Sequence, residues 1–155
     1  MIRTKTDDEI TDTTLKLRIR FDYKTTRKQN RFFLNNKGID RIAEEIREQQ
    51  SALLRNVPIQ GIKIEDIDLT SDIYIVTDEF TGTEVAYAPI QLLISADSLE
   101  DVIKFVMREE LRKIELLEPD SIVLNKNEIE RILFRMSEEV RNIVSLALRR
   151  LEGGR

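Results

Sequence analysis

From Leu15 the chain alternates without a break, with Leu17, Ile19, Phe21 and Tyr23 on one side and Lys16, Arg18 and Arg20 on the other. A period of two sustained over nine residues marks a strand with one face in a core and one in water. No other stretch constrains the fold as much. Such a strand needs neighbours in a sheet and a layer packed over its apolar side alone.

The rest of the chain supplies candidates for both. Asn35 and Asn36 can cap a helix that carries Ile39, Ile42, Ala43, Ile46 and Leu53 on one stripe and closes at Pro58. Ile62, Ile64 and Leu69 suggest an irregular strand. Residues 72–77 and 84–94 suggest a hairpin turning at Thr81-Gly82, with Tyr74 facing Tyr87. Pro89 cannot donate to a ladder, so the second arm is an edge there, or is bulged.

Asp97 or Ser98 caps a second helix whose spacing takes in Leu99, Val102, Ile103, Val106, Leu111 and Ile114, with a break at Glu118-Pro119-Asp120. Residues 121–124 read as a short strand. A long helix then starts at Asn125 or Asn127, ends near Leu151 and is released by Gly153-Gly154. The order β-α-β-β-β-α-(β)-α predicts an α+β fold with an antiparallel or mixed sheet. A ferredoxin-like core with two packed helices and a long C-terminal helix fits it best. The expected organisation is a mobile acidic arm over residues 1–12, one domain over 13–151 and a tail over 152–155.

The chain of 155 residues has no histidine and no cysteine. Serine hydrolysis of the histidine type, His-ligated metal chemistry, thiolate chemistry and disulfides are therefore outside its means. Carboxylate chemistry is not, so the balance leans away from catalysis without closing it off. No apolar run approaches the roughly 20 residues of a membrane span, and the polar N-terminus does not read as a signal peptide. Cytoplasmic is the expected setting.

Three features could carry function. Residues 16–31 hold Lys16, Arg18, Arg20, Lys24, Arg27, Lys28 and Arg31 against the single acid Asp22, a local +6 in a chain of net charge −4. Such a strand and loop could meet phosphates or another acidic partner. The last helix places Ile129, Leu133, Met136, Val140, Ile143 and Ala147 at heptad spacing, widened by Ile132, Val144 and Leu148, which suits self-association or docking. The acids Glu65, Asp66, Asp68, Asp72, Asp78 and Glu79 cluster, and Asp66, Asp68 and Asp72 could assist a Mg²⁺- or Ca²⁺-dependent reaction, though no metal-loop motif accompanies them. The expectation is an assembly or adaptor subunit working through its C-terminal helix and the basic strand–loop. A nucleic-acid-binding module and a carboxylate-dependent enzyme are the alternatives. No cofactor or small-molecule site is indicated.

Overall fold

The computed structural model describes residues 2–6, 9–26 and 38–153. In chain order the elements are β1 (Ile2–Thr6), β2 (Glu9–Thr13), β3 (Leu15–Thr26), α1 (Ile39–Asn56), β4 (Ile62–Asp68), β5 (Tyr74–Thr77), β6 (Glu84–Ala96), α2 (Leu99–Val106), β7 (Leu111–Glu118) and α3 (Lys126–Gly153). The protein is α+β. One sheet runs β4-β6-β3-β7, every neighbour antiparallel, with β5 also paired to β6.

These pairings make β3 parallel to β4 with β6 between them, and β6 parallel to β7 with β3 between them. Two βαβ units thus interlock, which is consistent with a ferredoxin-like core. β4 and β5 lie along the same side of β6, against residues 91–96 and 84–87. Pro89 falls in the gap, opposite Asp22 of β3 and facing neither β4 nor β5. The strand is an edge at that point, which is where a residue without an N–H can stand.

The alternation of β3 decides the core. Leu15, Leu17, Ile19 and Phe21 are almost wholly buried, and their cross-strand partners Ala96, Ile94, Leu92 and Ile90 on β6 share that face. α1 covers β3 and β6 with Ile39, Ile42, Ala43 and Leu54, and α2 adds Val102, Phe105 and Val106. Both helices lie on one side of the sheet, so Lys16, Arg18 and Arg20 face out on the other.

Local chemistry fixes the joints. Ser98 caps α2 by accepting from the Asp101 N–H at 3.1 Å. Gly61 holds φ +72°, and a Cβ there would lie 2.1 Å from the Asp101 carboxylate, so only glycine fits. Arg47, buried in α1, donates to the Ser71 carbonyl at 2.6 Å and pins the stretch between β4 and β5.

Three expectations change. The second helix stops at Val106 rather than continuing through Leu111 and Ile114, which belong to β7. Leu111 and Ile114 suit a helix by spacing, but Lys113, Ile114, Glu115 and Leu116 also alternate, and the free edge of β3 offers a hydrogen-bonding ladder that a helix would forgo. Within the expected acidic arm, residues 2–6 and 9–13 pair as the antiparallel strands β1 and β2, and Ile2 is buried in the core. Residues 121–124 form no strand of their own; Val123 makes a single bridge to Arg3.

Candidate functional site

The open face of the sheet carries the basic residues of β3, and its two arginines are already engaged. Arg18 donates to Glu115 of β7 at 3.1 Å, directly across the ladder. Arg20 grips the Asp22 carboxylate through two hydrogen bonds, 2.7 and 3.2 Å. That hydrogen bond raises the Arg20 pKa. Lys16 stands opposite Glu118 and beside Glu65.

Asp22 is only 2% exposed. Besides Arg20 it accepts from the Tyr74 hydroxyl at 2.6 Å, and the Arg112 Nε lies 4.0 Å away. Tyr74 stacks on Tyr87 across the hairpin at 5.1 Å, and the Arg112 guanidinium lies over the Tyr87 ring. Burial, then the bond to Asp22, raises the Tyr74 pKa. Lys24 is exposed, whereas Arg27, Lys28 and Arg31 lie outside the described residues.

The acidic cluster is dispersed. Asp66 and Asp68 pair with Leu93 and Gln91 along β4, while Asp72 sits in the exposed link to β5. Asp68 accepts from the Thr70 hydroxyl and N–H at 2.6 and 2.8 Å, which lowers its pKa. Glu65 accepts from Ser95 at 3.0 Å. Among the described residues no three His, Cys, Asp or Glu side chains are grouped to hold a metal ion.

α3 is the outlying element. Its 28 residues span about 42 Å at 1.5 Å per residue. A capping box starts it: the Asn125 side chain accepts from the Glu128 N–H at 2.9 Å, and Glu128 accepts from the Asn125 N–H at 2.7 Å. Arg3 of β1 also donates to Glu128, and these contacts lower the Glu128 pKa, the Asn125 N–H first. Arg131 reaches Glu100 of α2 at 3.2 Å. A cleft of about 930 Å³ separates α2 from the first half of α3, bordered by Leu99, Leu124, Phe134 and Glu138.

The orientation of this helix is inverted. No residue of α3 is buried. Those half-covered are Glu128, Ile132, Arg135, Glu138 and Glu139, four of them charged. The heptad seam faces away: Ile129, Leu133, Met136, Val140, Ile143 and Ala147 are all exposed, Leu133 to 60%. From residue 140 to 153 every position is exposed. Val144, Leu146, Leu148 and Leu151 widen the apolar side there, Leu151 being 72% exposed.

Set beside family models, curated proteins and solved structures, the chain matches none. The site therefore stands on its own geometry. That geometry keeps the seam residues on one surface and pairs off Arg18 and Arg20. It also contains partners the periodicity gave no hint of. Arg3 and Glu100, the two side chains that tie the base of α3, are far from it in sequence. The capping box was written in the chain as Asn125 and Glu128. Ile114 and Leu116, opposite Ile19 and Leu17 on the helix side of β7, remain exposed because α1 and α2 lie over β3, β4 and β6.

Proposed function

We propose that this chain is a non-catalytic assembly or adaptor subunit that acts through protein–protein contacts made by α3. The observation that carries the reading is the inverted helix, which turns charged residues toward its own domain and its apolar seam toward water. Apolar surface contributes about 25 cal/mol per Å² when it leaves water, so a seam of this length is a standing source of association free energy. A helix serving only its own core would point the seam inward. A cytoplasmic setting goes with this reading. The open sheet face adds less to it, because an acidic partner there competes with Glu115 for Arg18 and with Asp22 for Arg20.

The test is the paired substitution Leu133→Asp and Val140→Asp in the full chain. Association measured by light scattering should fall, while the melting temperature of the domain, compared at a dilution where neither chain associates, holds within a degree or two. A domain that loses stability as it would from a core substitution would show that α3 packs on its own fold, and the proposal would fail.

A further inference from the structure

Among the described residues nothing covers the seam of α3. Resting on the reading above, we propose that its occupant is the α3 of a second copy of this chain, running antiparallel.

The seam is its own complement. The intervals separating Ile129, Leu133, Met136, Val140, Ile143 and Ala147 are four, three, four, three and four, which read the same in reverse. Turning one copy end for end places Ile129 against Ala147, Leu133 against Ile143 and Met136 against Val140. Each contact then sets a residue of the larger half against an equal or smaller one. A parallel pair would instead set Ala147 on Ala147, leaving a gap, and would put Leu133 at an a position and Ile129 and Ile143 at d. That arrangement does not favour a two-stranded parallel coil.

The helix dipoles point the same way, since an antiparallel pair opposes them and a parallel pair aligns them. Side-chain charge is mixed at both ends, Lys126 and Arg131 with Glu128 and Glu130 at the start and Arg149 and Arg150 with Glu152 at the end, and the antiparallel register brings Lys126 beside Arg150. The area suffices. The apolar side chains on and beside the seam, with Val144, Leu146 and Leu151 and without Phe134 and Leu148, leave roughly 800 Å² in water, close to the value of about 800 Å² per partner in an ordinary stable interface. Both sides of each contact are open, since the C-terminal half of the helix stands clear of its domain and Ile129 and Leu133 near its tied start are exposed.

A like-charge contact also lies at the crossing point. Glu139 flanks the seam beside the crossing point, so the two copies bring their Glu139 side chains together. Glu139→Gln should tighten association by about twofold at low salt. In a parallel pair Glu139 would flank Val144, and the substitution would change nothing.

The lack of cysteine makes direction readable. Full-length Ile129→Cys and Ala147→Cys are prepared separately, checked by light scattering, mixed and oxidised; Leu133→Cys with Ile143→Cys gives an independent second pair. Antiparallel pairing yields the disulfide between the two different variants in each mixture, identified by intact mass. Disulfides joining like to like overturn the antiparallel arrangement. An unsubstituted chain that keeps the mass of a single copy at about 100 μM overturns self-pairing altogether. The assembly reading would survive that result if Leu133→Asp with Val140→Asp still leaves domain melting unchanged, and the occupant would then be a different protein.

Discussion

Removing Arg20 should destabilise this protein more than neutralising Asp22, although Arg20 is much the more exposed of the two, 37% against 2%. The reason lies in what each loss leaves behind. Without the Asp22 charge, Arg20, Tyr74 and Arg112 are each at least a third exposed and can turn to water. Asp22→Asn keeps one oxygen that can accept from Tyr74 and the Arg20 terminal nitrogen, while its amide turns the Arg20 Nε toward water, so its effect should be about 1 kcal/mol. Arg20→Ala leaves a buried carboxylate holding one neutral donor at 2.6 Å and one cation at 4.0 Å. A buried charge stripped of its main partner costs about 3–5 kcal/mol, reduced here to about 2–3 because Arg112 can move closer. The double change Arg20→Ala with Asp22→Ala removes the stranded charge and should be less destabilising than Arg20→Ala alone. At about 2–4 °C per kcal/mol for a chain of this size, Arg20→Ala should lower the melting temperature by about 4–12 °C. The measurement is calorimetry in the Leu133→Asp, Val140→Asp background, so that association does not contribute. If the two single losses simply add in the double variant, the account of a stranded charge is wrong.

Gly61→Ala should destabilise by about 1–3 kcal/mol in urea titration, because φ is +72° and the methyl group would overlap Asp101; adding Asp101→Ala should recover only part of that, since the backbone conformation stays unsuitable. Phe105→Ala should cost about 3–4 kcal/mol, as its ring is 2% exposed and meets Phe21 at 5.5 Å, while Phe80→Ala at a 99% exposed turn should change stability by less than about 0.5 kcal/mol. Equal effects would contradict the burial pattern. Glu128 is held below the ordinary glutamate range, so its capping contacts are intact above that range and are lost as pH falls through the lowered value. Protection against hydrogen exchange at residues 125–130, taken relative to the intrinsic rate at each pH, should therefore fall on acidification, and Glu128→Gln should flatten that dependence.

Much of the core was legible in the sequence. The alternation of residues 15–23 named the buried face of β3 correctly, and Pro89 announced the gap in the sheet beside it. Periodicity was less decisive where two periods fit. Leu111 and Ile114 satisfy a helix, and only the presence of a free β3 edge turns them into a strand. The polar N-terminus gave little sign of structure, yet Ile2 reaches the core and β1 pairs with β2. For α3 the sequence revealed the seam but not its heading, because a helical stripe says which residues share a side and not what that side meets. The pairing of Arg18 with Glu115 was likewise out of reach, since it depends on a register between strands almost a hundred residues apart.

The attachment of α3 has a mechanical consequence. The helix is a cantilever of about 42 Å whose fixings all lie in its first turns. Arg3 and Glu100 are the guy lines, and beyond residue 139 the shaft is unsupported by its own domain. In an assembly, the angle between neighbouring sheets would then be set at those two ion pairs. Small changes there would swing the far end of the arm through much larger distances, so the first strand of the chain would govern the spacing of whatever the last helix builds.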